Sequence, residues 1–111
     1  MPNYKEVVKG RIVSKTSGPV AGAEVKVYDK NLLVDDHLGT ATTGADGSFE
    51  VDFKWSDYKH NPFENRPDIF LRVRDPSTGN TTKTRVWDEL EGQLTADDSV
   101  EVMDLGDVPV D

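Results

Sequence analysis

Apolar residues recur at every second position in short groups, and clusters of turn-forming residues separate the groups. In the first run, Glu6 to Lys15, Val8, Gly10 and Ile12 share one face, and the run closes at Ser17-Gly18-Pro19. The second, Ala23 to Asp29, sets Ala23, Val25 and Val27 on one side and Glu24, Lys26 and Tyr28 on the other. A Thr-rich third run, Leu38 to Thr43, leads into Gly44-Ala45-Asp46-Gly47, whose Gly and Asp accept the positive φ of a tight hairpin. Phe49, Val51 and Phe53 then alternate in a fourth run. Further runs follow at Asp68 to Asp75, Asn80 to Trp87 and Val100 to Val108, with the turn Asp75-Pro76-Ser77-Thr78-Gly79 between the first two of these. A period of two carried through seven such runs, with no long helical period, predicts an all-β, antiparallel sandwich of seven to eight strands.

The chain has 111 residues, enough for one core, so residues 1–111 are expected to form a single domain. Charged residues are 31% of the chain and hydrophobic ones 35%, but the even spacing of the apolar groups assigns the charge to loops and outer faces. A net charge of -8 without a basic stripe argues against a nucleic-acid partner. The absence of Cys excludes disulfides, a thiolate nucleophile and Cys-ligated zinc. No window is long and apolar enough to span a bilayer, and Met1 to Lys9 has no signal-peptide core, so a cytoplasmic protein and an excised extracellular module are both compatible with the chain.

The segments Gly10-Arg11-Ile12-Val13, Gly18-Pro19-Val20-Ala21-Gly22-Ala23-Glu24-Val25-Lys26-Val27-Tyr28 and Thr42-Thr43-Gly44-Ala45-Asp46-Gly47-Ser48-Phe49-Glu50-Val51 resemble the transthyretin-like (prealbumin-like) and carboxypeptidase regulatory-like sandwich domains. That resemblance implies a fold far more than a function. The hydrolase branch of the group ends in a Tyr-Arg-Gly-Ser motif, whereas this chain ends Gly106-Asp107-Val108-Pro109-Val110-Asp111.

If every run crosses the slab once, the connections after the second, fourth and sixth runs share an end. They carry Asp29, Asp35, Asp36, Asp57, Glu64, Asp88, Glu89, Glu91, Asp97 and Asp98, ten of the chain's 21 acidic residues. Oxygen-rich loops of this kind gather the six to eight ligands of Ca²⁺, and Asp29, Asp35, Asp36 and Asp98 are the candidate metal ligands. The stretch Asp29 to Gly39 also resembles the calcium loop of synaptotagmin-type sandwiches, with one extra residue between its acids and Asn31 where an Asp is expected. The bland alternative is a solvated acidic surface. Trp55, Tyr58 and Phe63, in a proline-bearing connection at the same end, are candidates for partner binding, against the alternative that they plug the open end of the sandwich.

The expectation is a non-enzymatic binding or structural module, its acidic loop end engaging a protein partner with Ca²⁺ as the candidate ion, and with self-assembly through strand edges left open. The alternative is a small hydrolase or metal enzyme using His37 or His60 with loop carboxylates. No nucleophile elbow, phosphate-cradling loop or His-Glu-x-x-His helix accompanies those histidines. If the ion binds, calcium raises the melting temperature by an increment that grows with its concentration, and the Asp35→Asn/Asp36→Asn double variant abolishes the increment. A melting temperature indifferent to calcium removes the ion.

Overall fold

The computed structural model describes residues 5–31, 34–54, 66–88, 90, 92–95 and 100–110. These residues form nine strands and no helix: β1 (Lys5–Ser14), β2 (Gly18–Pro19), β3 (Glu24–Asp29), β4 (Asp36–Thr42), β5 (Ser48–Phe53), β6 (Ile69–Arg74), β7 (Thr81–Lys83), β8 (Gln93–Leu94) and β9 (Val100–Pro109). Accordingly, no helix among them is long and apolar enough to cross a membrane.

Two sheets stack face to face. In the first, β1 takes β5 and β2 on one edge and β9 on the other, with β8 beyond β9; the second runs β4-β3-β6-β7. Strict alternation builds the core between them. Burial of every second residue in β3 and β5 sends Val25 and Val27 from one sheet against Phe49, Val51 and Phe53 from the other. Val8, Ile12, Met103, Val108, Ile69, Leu71 and Val73 complete the cluster. Each such side chain contributes about 1.5–3 kcal/mol by leaving water, most of it offset by the entropy of ordering the chain.

All seven expected runs are present as strands, and the all-β sandwich is confirmed. One pairing departs from the antiparallel expectation: β1 and β9 run parallel, Lys5 opposite Val100 through Val13 opposite Pro109. The reason lies in the alternation itself, because the first and seventh runs of a zigzag point the same way and here they are neighbours. The sixth run is shorter than its pattern. After Lys83 the Thr84 side chain takes over the pairing, its Oγ1 accepting the Leu71 N–H at 2.9 Å. The ladder resumes only as a single bridge between Trp87 and Ile69.

The hairpin from β4 to β5 passes from one sheet to the other, so its turn is tightly specified. The Gly47 N–H donates to the Gly44 carbonyl at 2.9 Å, and Asp46 Oδ1 accepts from both the backbone and the hydroxyl of Ser48, at 3.1 and 2.6 Å. Those Ser48 hydrogen bonds hold the Asp46 carboxyl below its ordinary pKa. Thr43 locks the preceding loop, donating to the Val20 carbonyl at 2.6 Å and accepting the Ala23 N–H at 2.8 Å.

Gly47 and Gly18 both adopt positive φ, 83° and 77°, but their surroundings differ. A Cβ on Gly47 would sit 2.5 Å from the Ile12 carbonyl oxygen, whereas one on Gly18 would meet nothing within 4 Å. Alanine at either site incurs left-handed strain of about 1–2 kcal/mol. Gly47→Ala is expected to cost about 1–3 kcal/mol more than Gly18→Ala, since backbone must move to admit the methyl group. Urea unfolding midpoints of the two variants check the difference, and equal midpoints would contradict it.

Candidate functional site

The described parts of the acidic connections do converge. Asp29 lies opposite Asp36 on one side and Ile69 on the other, and Ile69 bridges to Trp87, which places the end of β3, the segment after β7 and the starts of β4 and β6 together. What the carboxylates do there differs from a loop of exposed ligands. Asp29 is only 2% exposed and points inward behind Val25 and Val27; its Oδ1 accepts the Asp68 N–H at 2.9 Å, tying β3 to the entry of β6. Asp35 and Asp36 are half-buried and are held by one residue. The Asn31 backbone N–H donates to Asp35 Oδ1 at 3.2 Å, and its Nδ2 donates to Asp36 Oδ2 at 2.8 Å. Asn31, the residue that departs from the calcium-loop pattern, thus supplies donors where an Asp would add a third anion.

Asp98 lies outside the described residues, as do Trp55, Tyr58, Phe63 and His60. Among the described residues no three His, Cys, Asp or Glu side chains are grouped so as to hold a metal ion. His37 is exposed; its Nε2 is 2.8 Å from Thr40 Oγ1 and its ring centroid 5.2 Å from that of Tyr28.

Two buried carboxylates at this end were not singled out from the sequence. Glu6 and Glu101 are 6% and 2% exposed, adjacent in register on β1 and β9, and Arg66 forms an ion pair with Glu101. Arg66 and Asp68 precede β6 in the opposite sheet, so the ion pair spans the gap between the layers, while the Asp68–Asp29 bond joins β6 to β3 within one layer. For Glu6 the signal was present: it shares the parity of Val8 and Ile12, which alternation sends inward.

The outer face of the β4-β3-β6-β7 sheet has the opposite charge. Lys26, Arg72 and Lys83 lie directly opposite one another on β3, β6 and β7, with Arg74 next along β6. Tyr28 stacks on Phe70 at 5.2 Å and 9°, Arg72 lies 5.5 Å over Tyr28, and the Lys83 ammonium lies 4.7 Å over Phe70. The outer face of the five-stranded sheet is instead balanced, with ion pairs Lys5–Asp52 at 3.2 Å and Arg11–Asp107 at 3.3 Å. Beside that face an open cleft of about 710 Å³ is lined by Lys9, Arg11, Thr42, Phe49, Glu50 and Asp107 among others.

No protein-family model matches the chain, and no curated protein matches it. Solved structures do. A 9R-lipoxygenase from Cyanothece PCC8801 superposes with a TM-score of 0.63 and 20% identity over 96% of this chain and 16% of its own. The dioxygenase domain of a dioxygenase carbohydrate-binding protein fusion from Streptomyces sp. SirexAA-E gives 0.60 and 16% over 99% of this chain and 81% of its own. Chlorocatechol 1,2-dioxygenase from Pseudomonas putida gives 0.56 and 18% over 96% of this chain and 61% of its own. The chain thus spans about one-sixth of the lipoxygenase and from about three-fifths to four-fifths of the two dioxygenases. Identities this low show a shared fold. They correct the expectation of a non-enzymatic module, because the sandwich is one found in dioxygenases and a lipoxygenase, an enzyme-related fold.

Arg66 offers a direct check on the buried end. Removing one partner of a buried pair leaves an uncompensated charge, so Arg66→Met is expected to cost about 3 kcal/mol, the low end of the range because the guanidinium side chain reaches solvent. Adding Glu101→Gln to that background should recover part of the loss. Chemical denaturation of the single and double variants measures both, and a neutral Arg66→Met would show the pair to be dispensable.

Proposed function

We propose that this chain is the β-sandwich unit of an oxygenase-type enzyme. The observation that carries this reading is the likeness, along nearly the whole chain, to a lipoxygenase and to dioxygenases acting on chlorocatechol and, in a further Pseudomonas putida structure at TM-score 0.55 and 11% identity, on hydroxyquinol. The cleft beside the five-stranded sheet adds support. Its volume falls within the few hundred to about 1,000 Å³ usual for small-molecule sites, and Lys9 and Arg11 beside Glu50, Asp104 and Asp107 give it a polar wall suited to the hydroxyl groups of a small diol.

Ground-state O₂ reacts slowly with closed-shell organic molecules, so oxygenation calls for a metal or an organic redox group. The described residues do not fit a metal: they hold one imidazole, His37, engaged with Thr40, and no grouping of three ligating side chains. No step is therefore routed through such a centre. The part assigned to the described residues is to frame the cleft and to hydrogen-bond and orient a hydroxylated substrate.

Substrate binding tests the reading. Purified chain is titrated with chlorocatechol and with hydroxyquinol and followed by calorimetry. Saturable binding of at least one of them is expected, weakened several-fold in Arg11→Gln. Absence of binding of both would reject the proposal.

A further inference from the structure

The cation-bearing outer face of the β4-β3-β6-β7 sheet is the feature least expected of a chain with a net charge of -8. Alternation sends Glu24, Lys26 and Tyr28 of β3, Phe70, Arg72 and Arg74 of β6, Thr81 and Lys83 of β7, and His37, Thr40 and Thr42 of β4 to this side. Glu24 is the one carboxylate among these positions, and its Oε1 is 3.8 Å from the Lys26 ammonium. Lys26, Arg72 and Lys83 stand level on three successive strands. Like charges directly opposite across strands oppose folding, so the ladder is not explained by stability. Nor are the cations loosely disposed: Tyr28 and Phe70, stacked on each other, sit beneath Arg72 and Lys83 and hold them by cation–π contacts, which lowers the entropy lost when an anion binds.

We propose that this face binds a linear carboxylate-bearing polysaccharide, lying across the strands with its carboxylates on the row Lys26, Arg72 and Lys83. The spacing supports it: Lys26 and Lys83 stand two strand spacings apart, about 9.6 Å, close to the two-residue repeat after which such a polymer with a near two-fold screw presents a carboxylate on the same side again. The chemistry supports it as well, since the guanidinium of Arg72 can take a carboxylate through two parallel hydrogen bonds. The exposed hydroxyls of Thr40, Thr42 and Thr81 border the ladder with donors and acceptors suited to sugar hydroxyls.

Other anionic polymers and surfaces fit less well. Single-stranded nucleic acid binds by stacking bases on open rings, but Phe70 is fully buried and one face of Tyr28 is taken by Phe70. A bilayer would call for apolar side chains to insert, and the exposed large hydrophobic residues among those described, Val34 and Leu94, lie off this face. The proposal does not rest on oxygenase activity.

Binding of the full chain to polygalacturonate, followed by calorimetry at several salt concentrations, tests it. Saturable binding that weakens with salt is expected, with affinity at least roughly tenfold lower for Arg72→Ser/Lys83→Ser, each lost charge-assisted contact accounting for a share. The milder Arg72→Gln, and melting curves of every variant, separate loss of contact from loss of fold. Lys5→Ser on the opposite sheet should bind as the unaltered chain does. Fully methyl-esterified polymer, which has the same sugars and no charge, should not bind. The proposal is overturned by absence of binding, by equal binding of the esterified polymer, by an unchanged affinity in the folded Arg72 and Lys83 variants, or by tighter binding to polyglutamate, oligothymidylate or phosphatidylserine-containing vesicles.

Discussion

The parallel pairing of the first strand with the last holds the architecture together. β1 is the hub of the five-stranded sheet: its one edge carries β5 and the short β2, and its other edge carries β9, which in turn holds β8. Met103, Val108 and the buried Glu101 reach the interior only through this pairing. The two strands are separated by nearly the whole chain, so their pairing closes the longest loop in the sheet and carries its largest closure entropy. A bulge interrupts the ladder between Lys9 and Arg11, opposite Gly106 at φ 69°, and lets both strands keep their inward faces on the core after the slip.

With the slab closed, polarity is sorted into territories. One end is sealed from within by carboxylates, each given work in the fold: Asp29 ties two strands of one sheet together, and Glu101 meets Arg66 across the gap between sheets. One outer face is neutralised by cross-strand ion pairs. The other concentrates Lys26, Arg72, Arg74 and Lys83 around a stacked Tyr28–Phe70 pair. This cationic face is the surface proposed to bind an anionic polymer. The cleft and the charged platform thus lie on opposite outer faces of the sandwich.

Much of this was legible in the residues. Alternation located every long strand, because a half-buried strand must place apolar groups at a period of two, and the turn chemistry of Gly44-Ala45-Asp46-Gly47 located the hairpin that crosses between sheets. The same parity marked Glu6 as inward. The two-residue strands β2 and β8 left no trace, since so short a pairing has no periodicity and forms only where an adjacent strand offers its edge. The extra residue in β4 was also hidden: Leu38 and Gly39 both turn inward, and Gly39 lacks a side chain because a Cβ there would lie 2.5 Å from Val51 Cγ1 of the facing sheet.

The acidic end shows most clearly where sequence reasoning stops. Zigzag connectivity was enough to bring the connection from Asp29 to Asp36 to the same tip as Asp68 and Trp87, since that depends only on the number of crossings. Whether a carboxylate there faces solvent, a neighbour's N–H or the interior depends on which strands lie beside it, and that is a matter of long-range packing. The sequence by itself determined that this chain would be a layered β structure, because local periodicity dictates which side of each strand is apolar. Only the tertiary structure decided that Lys26, Arg72 and Lys83, scattered along the chain, would stand in one row, because strand order and register are settled by how the two apolar faces fit together.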